Sequence, residues 1–253
     1  MSAAATRAVI ADLRARIAGL ERGHARGRTV LPFGVPEIDR VLPGGGLACG
    51  ALHEVAGGGA GVVDGAASAS FAAGLAARTA GSVLWVVTRP DLFAPALAQV
   101  GLAPGRVIYV EAGDETTVLA CFEEGLRHGG LGAVVAELAR LSADKSRRLQ
   151  LAAEKSGTLG IAIRRWRRQS DVTDFGQPTA AVSRWRVSAL PSRPLPVPGV
   201  GRARWRLELL RVRGGESADF EVEACDDKGC IALFSDLADR PAAAQARRIG
   251  AGG

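Results

Sequence analysis

Residues 54–68, EVAGGGAGVVDGAAS, have the glycine spacing that lets a backbone wrap an anion: Gly57, Gly58, Gly59, Gly61 and Gly65 lie between an apolar run and an alanine-rich run. Where such a loop joins a strand to a helix, backbone N–H groups and the helix N-terminus point at a bound phosphate. A working phosphate loop of the form G-x-x-x-x-G-K-[ST] adds a lysine for the β- and γ-phosphates and a hydroxyl for Mg²⁺. In the nearest register, Ala60 to Ala67, Ala66 and Ala67 replace both. No Lys or Arg occurs between Val41 and Ala77, and Asp64 puts a carboxylate inside the loop. At a few ångströms a like-charge pair costs on the order of a few kcal/mol, so the loop reads as the relic of a nucleotide site. The expectation is a protein that is not an ATPase, with no catalytic residue and no cofactor.

Two further parts of a nucleotide site are displaced as well. The apolar strand expected to end in a metal-binding Asp, GAVVAEL (132–138), ends in Ala136 and Glu137. The four cysteines (Cys49, Cys121, Cys225, Cys230) form no C-x-x-C pair, and no His cluster completes a metal site, so no metal is expected. Cys225 and Cys230 flank DDKG and read as two ordinary thiols across a hairpin turn.

Arginine supplies the second chemical signature. The 253-residue chain carries a net charge of +6. Residues 161–213 alone hold twelve arginines against three acids, a local excess of +9. Such asymmetry suits a polyanionic partner, nucleic acid above all, and the alternatives are an acidic protein or a merely solvated face. Trp166, Trp185 and Trp205 each sit between arginines in RRWRR, RWR and RWR. On a strand this alternation sends indoles to one face and guanidiniums to the other. Trp185 and Trp205 are expected inward, while Trp166, at a strand end, is placed to stack on a base. Arg164, Arg165, Arg167 and Arg168, with Arg184 and Arg186, are the candidate DNA contacts.

These residues need a scaffold, and the rest of the chain supplies its pattern. With 47% hydrophobic residues the chain can bury a large core. Apolar runs at 51–57, 82–88, 106–113, 131–138 and 158–168 read as strands, and 66–79, 91–102, 115–130 and 142–157 as helices, the last entered through Ser142. Strands alternating with helices imply an α/β fold with a mainly parallel central sheet covered on both faces. After a polar loop at 169–183, the runs at 184–190, 204–213 and 219–234 alternate with period two and have no helices between them, which predicts antiparallel strands extending the sheet. Ile10, Leu13, Ile17 and Leu20 form the apolar stripe of an N-terminal helix, for docking on its own domain or on a neighbour. The expected organisation is helix and linker (1–27), core (28–238) and tail (239–253). No apolar run approaches the roughly 20 residues of a membrane span and the N-terminus has no signal-peptide core, so a cytoplasmic protein with no membrane contact is expected.

The order of motifs resembles RecA-type ATPases. LPFGVPEIDRVLPGGGLACGALHEVAG (31–57) looks like their lead-in to the phosphate loop, and QSDVTDFGQPTAAVS (169–183) falls where their second DNA-binding loop lies. Closer still is the ImuA family, RecA-like proteins without a complete phosphate loop. LPGGGLACGALHEV, RRLQLAAEKSGTLGIAIRRWRR, SRWRVSALPS, RWRLELLRVRGG and DLADRPAAA carry this resemblance. It implies a RecA-like core and an accessory role in SOS-induced translesion synthesis and mutagenesis. The partners it implies are an ImuB-like Y-family-related protein, an error-prone DnaE-type polymerase, and RecA and single-stranded DNA. The competing expectation is a DNA-dependent ATPase or recombinase-like protein whose missing cation comes from a partner.

Overall fold

A computed structural model describes residues 29–59, 61–166, 173–193, 198–199 and 201–233. The stripe of Ile10, Leu13, Ile17 and Leu20, the pair Arg167 and Arg168, and the tail 239–253 lie outside them.

A small antiparallel ribbon, β1 (Val30–Leu31) and β2 (Leu47–Ala48), flanks the short helix α1 (Pro36–Asp39). The core then alternates β3 (Leu52–Gly57), α2 (Val62–Ala77), β4 (Val83–Val87), α3 (Ala94–Gln99), β5 (Val107–Glu111), α4 (Glu115–His128), β6 (Ala133–Leu138), α5 (Ala143–Ser156) and β7 (Leu159–Arg164). Four strands follow: β8 (Ser183–Leu190), β9 (Arg204–Val212), β10 (Ala218–Glu223) and β11 (Ala232–Leu233). Nine strands make one sheet in the order β11-β10-β9-β8-β3-β7-β6-β4-β5.

The helix boundaries follow local chemistry. Asp114 caps α4 by accepting from the N–H groups of Thr116 and Thr117, and Ser142 caps α5. Both helices stop at a left-handed glycine, Gly129 and Gly157. α2 is built of small residues because it is enclosed: Ala67 to Ala69 and Phe71 to Ala76 are all buried. At Gly74 a side chain would collide with the Cys225 thiol, so only glycine admits the β10–β11 hairpin at that distance.

One apolar cluster lies under α2 and joins Phe33, Phe71, Trp85, Trp185 and Trp205, all at most 4% exposed. Phe71 is its hub, with ring centroids 5.9 Å from Trp185 and 6.3 Å from Trp205. The second cluster lies under α4 and α5 on the opposite face, around Phe122, Leu126 and Leu149. The α/β expectation holds, with one correction. β8 belongs to the helix-free run expected to be antiparallel, yet it pairs parallel with β3, and the antiparallel extension begins only at β9. The crossover from β7 to β8 has among its described residues only a short 3₁₀ turn (Thr173–Gly176) in place of the usual helix.

Candidate functional site

In α/β sheets ligands gather at the carboxyl ends of the parallel strands, and three groups of predicted residues meet there. The glycine loop leaves β3 at Gly57, and the Gly58 N–H donates to the Val187 carbonyl at 2.8 Å. A Cβ on Gly58 would overlap the Ser188 hydroxyl, which explains glycine at this point. Gly61 is the extended N-cap of α2, placing Asp64 in the first turn. There the carboxylate faces the positive end of the helix dipole, and its Oδ1 accepts the Ala189 N–H at 2.9 Å. Asp64 Oδ2 lies beside Gly59, where an added Cβ would sit 3.3 Å away, and Gly65 stands in open space. The loop is thus fastened to β8 from both ends, with a carboxylate inside the turn.

Glu137, at the end of β6, is 5% exposed. Its Oε1 accepts the Trp85 indole N–H at 3.2 Å and its Oε2 accepts from Arg165 at 2.8 Å. Burial pushes the Glu137 carboxyl upward in pKa, against the pull of the Arg165 charge. Arg165 also reaches Asp91 at 3.0 Å, while Glu115 accepts the Ala139 N–H at 2.7 Å. Each carboxylate is thereby held by a protein donor. Among the described residues no group of three or more His, Cys, Asp or Glu is arranged to hold a metal ion.

The basic strands require the largest correction. The alternation puts Arg164 and Arg184 on a solvated guanidinium face, but both are buried and both ion-pair with Glu54, at 2.8 and 3.1 Å. Thr179 donates its hydroxyl to the same carboxylate, and the Phe175 ring lies over the two guanidiniums, 5.9 and 5.0 Å from its centroid. Trp166 meets Phe175 edge-on at 5.5 Å, so its ring is packed on one side. Arg186 is partly exposed and pairs with Glu208 at 3.4 Å. Trp185 and Trp205 point inward as the alternation implies, at 0% and 4% exposure.

Among the described residues, much of the +9 excess is met by acids, most of them from outside the segment. At least seven of the twelve arginines have a carboxylate partner among the described residues. Arg202, Arg204 and Arg206 pair with Glu223, Glu221 and Asp219 across the β9–β10 ladder at 2.6–2.8 Å. Arg211 and Arg213 donate to the carbonyls of Thr179 and Ala180.

Sequence reasoning passes over Glu54 and His53. The signal is present: a charged and a titratable residue in the middle of the apolar run ALHEVAG must find partners or be neutral. His53 Nε2 donates to the Ala48 carbonyl at 2.9 Å, and Nδ1 lies 2.7 Å from Ser183 Oγ, which itself accepts the Trp185 N–H at 2.8 Å. Burial lowers the His53 pKa to about 4, only partly opposed by the Ala48 hydrogen bond.

A mostly parallel sheet with a glycine-rich junction from β3 to α2, extended by antiparallel strands, is the architecture of the RecA-like class. The crystal structure of the RadB recombinase superposes with a TM-score of 0.53 at 19% identity, covering 81% of this chain and 100% of that one. A search of protein-family models finds no match. Protein ImuA of Caulobacter vibrioides, from strains NA1000 / CB15N and ATCC 19089 / CIP 103742 / CB 15, is in each case 41% identical over 246 residues, spanning 91% of this chain and 100% of the relative. The chain belongs to the ImuA family.

Proposed function

We propose that the protein is a non-catalytic RecA-like adaptor of damage-induced mutagenesis, working through the surfaces it offers to partners and not through nucleotide turnover. The observation that carries this reading is the fastened glycine loop. Its lysine and hydroxyl positions hold Ala66 and Ala67, and the carboxylate of Asp64 occupies the helix N-terminus that would otherwise receive a phosphate. Membership of the ImuA family supports the setting, SOS-induced translesion synthesis, with an ImuB-like Y-family-related protein and an error-prone DnaE-type polymerase as partners. RecA and single-stranded DNA are further contacts in this reading. Since Arg164 and Arg184 are buried on Glu54, DNA contact in this reading falls to Arg165, Arg167, Arg168 and Arg186, together with Trp166.

The reading is tested by calorimetric titration of the purified protein with MgATP. No binding is expected at millimolar nucleotide, and a tight Mg²⁺-dependent affinity overturns it. Affinity purification from cells with damaged DNA should bring down a Y-family-related protein and a DnaE-type polymerase.

A further inference from the structure

The outer surface of α5 carries a feature that neither the nucleotide-site relic nor the basic strands explain. α5 buries Ser146, Leu149, Gln150, Ala152 and Ala153 against the sheet, as the core side of an amphipathic helix should. Leu151 turns the other way and is 64% exposed. It stands between two clefts and lines both.

The larger cleft, about 730 Å³, runs between α4 and α5. Arg127, Arg148 and Lys155 line it, and no acidic side chain among the described residues does. Arg127 and Arg148 share a single carboxylate, Glu123, at 2.5 and 2.6 Å, leaving the cleft positive. The smaller cleft, about 470 Å³, lies between α5 and the 178–180 segment, with Arg147 and Arg213 on its walls and Glu154 as its one acid among the described residues. A leucine ridge flanked by cations on both sides has the chemistry of a surface that receives apolar and acidic groups together.

We infer that the Leu151 ridge of α5, with the basic cleft between α4 and α5, is a docking surface for an acidic, leucine-bearing segment of a partner protein. This rests on the adaptor reading, in which partner proteins must be held. Charge complementarity sets the acidic half of the partner, and the exposed leucine sets the apolar half. A nucleic-acid backbone would use the arginines and lysine but gain nothing from Leu151, so the protein segment is favoured.

The test uses the full chain and a fluorescent helical peptide of glutamate and leucine, with leucines at i, i+3, i+4 and i+7, read by fluorescence anisotropy. A peptide with lysine in place of glutamate and an oligo-dT strand are the comparison probes. The acidic peptide should bind with an affinity that weakens with salt, and Leu151→Asp and Lys155→Glu should each weaken it about tenfold or more. Both residues face outward, so an unchanged thermal midpoint separates lost docking from lost fold. Equal binding of the lysine peptide, no effect of either substitution, or oligo-dT binding that Lys155→Glu abolishes while the acidic peptide fails to bind would each overturn the inference. If the partners still co-purify with the Leu151→Asp protein, the adaptor reading stands and only this surface is wrong.

Discussion

The carboxylate of Asp64 accepts the backbone N–H of Ala189 at 2.9 Å, joining the first turn of α2 to a strand 125 residues further along the chain. A residue that on electrostatic grounds repels a triphosphate is thus also part of the fold. The loop is therefore tied to β8 by two bonds, this one and that from Gly58 to Val187.

Asp64→Ala removes one acceptor from a part-buried N–H and one favourable charge from a helix N-terminus, and should destabilise by about 1–2 kcal/mol, a few degrees in midpoint. Asp64→Asn keeps an acceptor and should lose less. The pair Ala66→Lys and Ala67→Thr restores the missing groups, yet with Asp64 in place it should bring no MgATP binding at millimolar concentration. Thermal melts and calorimetry check both.

Glu54 compensates two buried guanidiniums, so its removal takes a shared carboxylate away from both in the interior. Glu54→Gln should cost about 3–5 kcal/mol, the range found when one member of a buried ion pair is deleted. For a domain of this size that lowers the thermal midpoint by about 10 °C. Arg206→Ala, whose pair with Asp219 is half exposed, should leave stability almost unchanged. Urea denaturation of the two variants, compared at constant m-value, is the measurement.

What can be read from the sequence and what cannot divides along the range of the interactions. Period-two alternation places Trp185 and Trp205 inward, and Ser142 and Gly157 mark the ends of α5, because these depend on neighbours within a few residues. The fate of Arg164 depends on Glu54, 110 residues away, and no local pattern reports that pairing. The same holds for the arginines of β9, neutralised by acids of β10 that fall outside the basic segment. The direction of β8 is hidden because a parallel connection ordinarily needs a helix, and here the described part of the crossover has only a 3₁₀ turn. The glycine loop is legible as chemically incomplete, but its attachment to β8 is not.

His53 gives a pH signature. Its imidazole is neutral in the fold because burial disfavours the charged form, with Nε2–H donating to Ala48 and Nδ1 accepting the Ser183 hydroxyl, whose oxygen already accepts from Trp185. Its folded pKa of about 4 lies below the ordinary 6.5, so the unfolded chain binds the proton first as pH falls. Stability from this group is complete above pH 6.5 and is lost as pH drops towards 4, by about 3 kcal/mol. Glu137, with its raised pKa, acts in the opposite sense, losing stability as pH rises above its ordinary 4.5. The His53→Gln variant isolates the histidine: the difference in unfolding free energy between the two proteins should shrink steadily between pH 6.5 and 4.

The candidate DNA contacts must be tested without disturbing the buried pair. Substituting Arg164 along with its neighbours would unsettle Glu54 and confuse weakened binding with an unsettled fold. The informative variant is the triple Arg167→Ala, Arg168→Ala, Arg186→Ala in an otherwise intact chain. Single-stranded DNA affinity, measured from low to moderate salt, should fall for this variant at low salt, and the slope of log K against log salt should flatten by about 0.7 for each phosphate no longer neutralised. Arg202→Ala, whose guanidinium is shared with Glu223 and the Ala224 carbonyl, should leave the slope unchanged. A triple variant with the parent slope would place DNA binding elsewhere on the molecule, and a flattened slope for Arg202→Ala would place it on the β9–β10 ladder.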